Sequence, residues 1–300
     1  MTLAVPQVPD PLATISIGLP VFNGESTLRN ALESLLSQTF KNFEIIVSDN
    51  ASTDKTQAIC EEFVKKDNRI TYVRQTTNMG AFSNFIFVLS RARTDFFMWA
   101  AHDDSWSPRF IETNLSLLTQ NPLAVSAISK VAFTDGVLSN ATNPLKGNKG
   151  TRLRNYIQDP GDNSRLYGIH RTSALQGASS SQNCNSWAGD WTLMLEMVIR
   201  GEFLEVNEIL MERAAAPAGK YYDNLTGTFF DRYFPLVRYS KSVLRVPENR
   251  TVAVIRILTR QNLIHHLAMA KRFGWFTHRL ASSNVLKIPN TALKKLLADR

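Results

Sequence analysis

The chain has 300 residues, 44% apolar and 20% charged, the balance of an ordinary folded protein and not of a disordered or collagen-like one. Its net charge is +8, and its two cysteines, Cys60 and Cys184, are too few and too far apart for a disulfide framework or a zinc cluster. No stretch reaches the roughly 20 apolar residues of a membrane span, and the opening residues lack the basic start and unbroken apolar run of a secretory signal.

Residues 1–13 are proline-rich and aperiodic and are expected to form a disordered leader. Thr14–Pro20 is a short β run. Ser26–Gln38 follows with apolar residues at Leu28, Ala31, Leu32, Leu35 and Leu36, a helical spacing. Phe43–Ser48 is a β-branched run, Thr53–Lys66 a helix, Ile70–Arg74 a strand, Ala81–Arg91 an apolar helix and Asp95–Ala101 an apolar strand. Pro108–Gln120 predicts a helix with Pro108 in its first turn, and Ala124–Phe133 another strand. From Thr134 to about Asn163 the chain is polar and loop-like. Arg165–Arg171 resumes strand character, Ser179–Ser186 is polar, Gly189–Arg200 is an apolar helix, and Phe203–Leu210 is a strand. Ala214–Gly227 is irregular, and about three amphipathic basic helices run to the end.

Strands alternating with helices imply an α/β fold: a Rossmann-like, mostly parallel sheet flanked by helices, here with a C-terminal helical extension. Such sheets bind ligands beyond the carboxyl ends of their strands. The residues there are Pro20, Phe22, Asn23, Gly24 and Glu25 after the first strand, and Asp49 through Asp54 after the second. Asn78, Met79 and Gly80 follow the third, and His102, Asp103 and Asp104 the fourth. Polar loops are common, but four polar clusters on one rim argue for a site.

The adjacent carboxylates Asp103 and Asp104 suit a hard divalent cation, Mg²⁺ or Mn²⁺, which needs only one or two carboxylates when substrate phosphates supply the rest. The competing reading is an acidic helix start. Asp49 can accept hydrogen bonds from a base N–H or a ribose hydroxyl, whereas Asp54 suits the first turn of the next helix, with Ser52 or Thr53 as its cap. Asp190, opening an apolar helix, is a cap or a general base. His102 reads as a hydrogen-bonding neighbour. Residues 241–300 hold twelve basic residues and two acidic ones, a charge of +10, so the first 240 residues sum to −2. A tail so charged attracts anionic surfaces, or is simply a solvated helical face.

The run LPVFNGESTLRNALESLLSQTFKNFEIIVSDNASTDKT resembles the opening of glycosyltransferase family 2, the inverting transferases of the GT-A fold. Asn78-x-Gly80, the segment from Met98 to Pro108, Leu166–Arg171 and Ala188-Gly189-Asp190-Trp191 resemble, in order, that family's later motifs, so the likeness covers about 14–213.

The resemblance implies a nucleoside-diphosphate sugar donor, UDP-sugar favoured, with Asp49 at the base and Pro20, Asn23 and Glu25 lining the nucleotide pocket. Phe22, Asn50, Asn78, Gly80, His102 and Asp103 complete the donor set. One of Asp103 and Asp104 would hold Mn²⁺ or Mg²⁺ and the other touch the ribose. Asp190 would deprotonate the hydroxyl of a glycan or lipid-linked acceptor. It further implies a nucleotide-sugar-binding half at 14–136, an acceptor-binding and catalytic half at 137–215, and a basic extension at 216–300. A cytoplasmic enzyme, peripheral at the inner face of the membrane, fits that extension, and no nucleic acid is expected. Two departures stand out: Ala101 occupies the first position of the usual Asp-x-Asp-Asp, and no His follows Arg213. Lys220, Tyr221 and Tyr222 could close over the diphosphate in its place or form a plain loop. An inactive binding module of the same fold is the alternative. A dinucleotide oxidoreductase ranks below both, since no G-x-G-x-x-G follows the first strand.

Overall fold

The computed structural model describes residues 14–180, 189–215, 236–245, 254, 257–259 and 261. The expected leader, the loop holding Lys220, Tyr221 and Tyr222, and most of the basic extension lie outside them. The chain divides into two compact units, Met1–Ser181 with Leu193–Ala214, and Gln182–Thr192 with Ala215–Arg300.

The first unit is built on an eight-stranded sheet of order β3-β2-β1-β4-β7-β6-β8-β5. Its strands are β1 (Ile15–Val21), β2 (Phe43–Asp49), β3 (Ile70–Arg74), β4 (Phe96–Trp99), β5 (Ser105–Trp106), β6 (Ala124–Phe133), β7 (Ile169–Arg171) and β8 (Glu202–Arg213). The helices are α1 (Leu28–Leu36), α2 (Thr56–Lys66), α3 (Ala81–Arg91), α4 (Phe110–Thr119), α5 (Lys149–Gln158) and α6 (Thr172–Ser179). Next comes α7 (Gly189–Arg200), whose first turn belongs to the second unit.

β1, β2 and β4 are buried along their whole length, as parallel strands covered on both faces must be. α1 turns Leu28, Ala31, Leu32 and Leu35 inward, the stripe read from its spacing. α3 packs on β1 and β2, and α4 on β6 and β8. The close approach of α3 to the sheet depends on Gly18. A Cβ there would stand 2.6 Å from Phe97 Cζ and from Val88 Cγ2, inside contact distance.

The order β3-β2-β1-β4 is parallel, as the alternation of elements implies. The sheet is nevertheless mixed, because β7 runs antiparallel between β4 and β6, and β5 antiparallel to β8. These are strands of three and two residues, too short to carry a period. The structure also corrects the reading of 134–163 as loop throughout. α5 lies inside it, capped by the Asn148 side chain, which accepts from Thr151 N at 3.0 Å. Arg165–Tyr167, the start of the run expected to be strand, belongs instead to a turn of 3₁₀ helix, Ser164–Tyr167, ahead of β7.

In the second unit the described elements are the first turn of α7 and the helix α8 (Val237–Arg245). α8 is amphipathic, as expected for the basic extension: Tyr239 and Val243 are buried and Lys241 and Arg245 exposed. Trp191 meets the Tyr239 ring edge-on at 5.7 Å. Among the described residues no helix is long and apolar enough to cross a membrane.

Candidate donor site at the carboxyl edge of the sheet

The carboxyl ends of β1, β2 and β3 are in register, with Val21 beside Asp49 and Asp49 beside Arg74. That register explains the centre of the site. Asp49 has no exposed surface, and its oxygens are engaged by three groups. Ser52 N donates to Oδ1 at 2.8 Å, and Tyr72 Oη and Arg74 Nη1 donate to Oδ2 at 2.9 and 3.3 Å. Arg74 also reaches the Ser52 carbonyl at 2.7 Å. Burial and the Asp49 carboxylate raise the Tyr72 phenol far above its ordinary pKa, so it remains a donor. Asp49 is therefore the anchor of the turn that follows β2. Tyr72 and Arg74 are neighbours of the candidate site that the sequence reading missed. Their spacing of two residues on one face of β3, beside the carboxyl end of β2, was the available signal.

The loops after β1 and β2 are laced together. Asn23, at φ 53°, accepts at Oδ1 from Thr53 N at 2.9 Å, and its own N–H donates to Ser52 Oγ at 2.9 Å. Gly24 N donates to Thr56 Oγ1, Glu25 N to Asp54 Oδ2, and Lys55 N to Glu25 Oε2. Asp54 Oδ1 accepts from Thr56 N at 3.0 Å, so Asp54 holds the first amide of α2 from just ahead of the helix and does not lie in its first turn. Ser52 and Thr53, the expected caps, serve the lacing instead, and α2 begins at Thr56. Glu25 spends one oxygen on that same helix start. Pro20 is buried within β1; Phe22, Asn23 and Glu25 are exposed on the rim.

Asn50 is buried and joins the β2 loop to the loop before α3. Its Nδ2 donates to Asn78 Oδ1 at 2.9 Å, and its Oδ1 accepts from Met79 N at 2.8 Å. Asn78 Oδ1 also accepts from Gly80 N, and Gly80 takes φ 85° as it enters α3. A side chain on Gly80 would meet nothing, so the strain of that φ alone favours glycine.

After β4 the two candidate metal ligands part company. Asp103 is exposed and makes no hydrogen bond or ion pair among the described residues. Asp104 is buried. Its Oδ1 accepts from Ala214 N at 3.0 Å, and its Oδ2 faces Arg213 Nε at 3.4 Å. Burial, with the Asp103 charge adding to it, pushes the Asp104 carboxyl up to about 6 against the opposing pull of Arg213. His102 Nδ1 meets Thr27 Oγ1 at 2.9 Å, which ties the turn to the start of α1. Trp99 belongs to the core, with Nε1 on the Phe85 carbonyl, and Trp106 is buried too.

Among the described residues no cluster holds three or more His, Cys, Asp or Glu side chains, so a full protein cage for a metal is absent there. One exposed carboxylate does fit an Mg²⁺ or Mn²⁺ ion whose remaining ligands are phosphate oxygens and water. Asp190 stands in the first turn of α7, in the second unit, and accepts from Trp191 N at 2.8 Å.

The family model of Glycosyl transferase family 2 matches residues 16–176, more than half of the chain, and the chain belongs to that family. A glycosyltransferase of Rickettsia typhi, RT0329, is 35% identical over 106 residues, 35% of this chain and 32% of its own length. GlyG of Streptococcus pneumoniae is 24% identical over 210 residues, 70% of this chain and 62% of its own. The chain thus spans about a third of the Rickettsia relative. Among solved structures, S. aureus TarS 1–349 in complex with UDP-GlcNAc superposes with a TM-score of 0.62 at 18% identity, covering 95% of this chain and 80% of that one. The mannosyltransferase PcManGT of Pyrobaculum calidifontis, in complex with GDP-Man and Mn²⁺, gives 0.57 at 14% identity, covering 97% and 81%. The fold is the GT-A fold of these transferases.

Proposed function

We propose that the chain is an inverting glycosyltransferase that moves a sugar from a nucleoside-diphosphate sugar to a hydroxyl of a glycan or lipid-linked acceptor. The observation that carries this reading is the lacing of the loops after β1 and β2, beside which Asp103 stands as an exposed carboxylate with no hydrogen-bond partner among the described residues. Family membership and the UDP-GlcNAc complex of TarS favour a UDP-sugar.

In this reading Phe22 and Asn23 border the nucleotide. Asp49 holds the β2 turn in place while Asn50 fixes Asn78 and Gly80 opposite it. Asp103 would hold Mn²⁺ or Mg²⁺. When bound, the ion neutralises charge that develops on the departing diphosphate. Asp104, engaged by Arg213 and Ala214, keeps the turn in shape, which supports Asp103 as the ligand of the pair. Asp190 would accept the proton of the acceptor hydroxyl as its oxygen attacks the anomeric carbon on the face opposite the diphosphate, so that configuration inverts. General-base help of this kind is worth about 10²- to 10⁴-fold in rate. The +10 charge of residues 241–300 would hold the enzyme at the anionic inner face of a membrane, where lipid-linked acceptors reside.

The test is a thermal-shift panel of UDP, GDP, TDP, CMP and NAD, each with and without Mn²⁺. A Mn²⁺-dependent shift with one nucleoside diphosphate, lost in Asp103→Asn, is the expected result. At a hundredfold excess over Kd it corresponds to about 2.7 kcal/mol. No shift with any diphosphate would overturn the reading in favour of an inactive module of the same fold.

A further inference from the structure

One side chain of the first unit joins three segments that the donor-site reading does not connect. Arg213, the last residue of β8, donates from Nη1 to Asn163 Oδ1 at 3.1 Å and to Ser164 Oγ at 3.0 Å, and lies 3.5 Å from the Asp162 carbonyl. Its Nε faces Asp104 Oδ2 at 3.4 Å, and the next backbone N–H, of Ala214, holds the other Asp104 oxygen. The guanidinium lies 4.4 Å from the Tyr167 ring centroid and 5.6 Å from that of Phe133, and Thr134 N donates to the Arg213 carbonyl. The side chain is 12% exposed. The fork is therefore held along its edge by hydrogen bonds and lies against two aromatic rings. Lysine could not reproduce that, since it offers one point charge where Arg offers a planar set of donors.

Among the described residues the Asp104 carboxylate has no further hydrogen-bond partner, and its neighbour Asp103 is the exposed carboxylate of the same turn. The turn that carries Asp103 is thus in contact with residues about a hundred positions later in the chain.

We propose that Arg213 is a positioning residue: by holding Asp104 against Asn163 and Ser164 it sets the 101–104 turn and aims the Asp103 carboxylate at the diphosphate of the donor. The proposal rests on the donor-site reading above. It adds that the turn is set from the 162–164 segment, so the two loops act as one piece. Partners of this kind, behind a metal ligand, are worth about 10- to 100-fold in metal affinity.

The experiment compares Arg213→Lys, Arg213→Met, Asp104→Asn and the Arg213→Met/Asp104→Asn double variant. UDP affinity is measured by calorimetry with and without Mn²⁺, and amide hydrogen exchange of residues 101–105 and 162–165 is followed in the ligand-free chain. Each single variant is expected to lose about 10-fold or more of the Mn²⁺-dependent gain in UDP affinity. Metal-free UDP binding and exchange in β1 stay unchanged. Exchange rises in both loops together, and the double variant is no worse than the worse single one. Arg213→Lys keeps the charge, so it reports on the fork if Arg213→Met fails to fold. Additive losses, an unchanged Mn²⁺ gain, or exchange that rises in one loop alone would overturn the proposal. If the wild-type chain binds no nucleoside diphosphate, the donor-site reading fails, while joint exchange of the two loops still decides whether Arg213 couples them.

Discussion

At the residue scale, Asp103 and Asp104 stand side by side in sequence, one exposed and one buried, and in the proposed reading they divide the work between ligand and support. Asp103→Asn is expected to leave stability within about 0.5 kcal/mol of the parent, as an exposed substitution does, while removing Mn²⁺-dependent nucleotide binding. Asp104→Asn strips the charge opposite a buried guanidinium and is expected to cost about 3 kcal/mol by urea denaturation. If the two variants unfold alike, the division of labour is wrong. His170 supplies a pH signature. It is fully buried, and its Nε2 must donate to the Leu166 carbonyl at 3.0 Å, which leaves Nδ1 as the unprotonated nitrogen. Burial pushes its pKa down to about 4, whereas the unfolded chain titrates near about 6.5. Below that value the unfolded state takes a proton that the native state refuses, so stability is complete above about pH 6.5 and falls towards pH 4. Between about pH 7.5 and pH 5 the loss is about 2 kcal/mol. His170→Phe should flatten that slope, and an unchanged slope would assign it to other groups.

At the scale of elements, what was legible depended on length and on patterning. β1, β2, β3, α3 and β6 fall where their residue patterns place them, because each is five or more residues long. α5 was hidden by its own surface. Lys149, Arg152 and Arg154 dilute the stripe of Leu153, Tyr156 and Ile157, and Arg152 is buried because its guanidinium serves the carbonyls of Gly147, Val198 and Ile199. Asn148→Ala should cost about 1 kcal/mol through loss of its cap, read as a lower denaturation midpoint at constant slope. The rim was legible because its polar clusters directly follow apolar strands. The roles within it were not. Nothing in the residue types distinguishes an Asp whose carboxylate is enclosed, such as Asp49, from one that is open, such as Asp103. That difference arises from Tyr72, Arg74 and Arg213, which arrive from other strands.

At the scale of the whole molecule, charge is divided along the chain: −2 over the first 240 residues and +10 over the rest. Vesicles rich in anionic lipid should therefore float the full chain in a salt-sensitive manner, since each basic residue near such a surface contributes about 1 kcal/mol. A chain lacking residues 241–300 should stay at the bottom of the gradient. Flotation that survives the deletion would remove the membrane role from the basic extension.

The lacing of the β1 and β2 loops has a consequence for how a ligand is met. Seven amides, those of Asn23, Gly24, Glu25, Ser52, Thr53, Lys55 and Thr56, donate to side-chain oxygens and not to a ladder or a helix. By secondary structure all but Thr56, the first residue of α2, are loop; by hydrogen-bond closure they are as tied as a strand. Such a rim has already surrendered its freedom before any ligand arrives, so binding there has little left to order, and the heat of association should not be offset by the entropy loss that accompanies the folding of a loop onto its ligand.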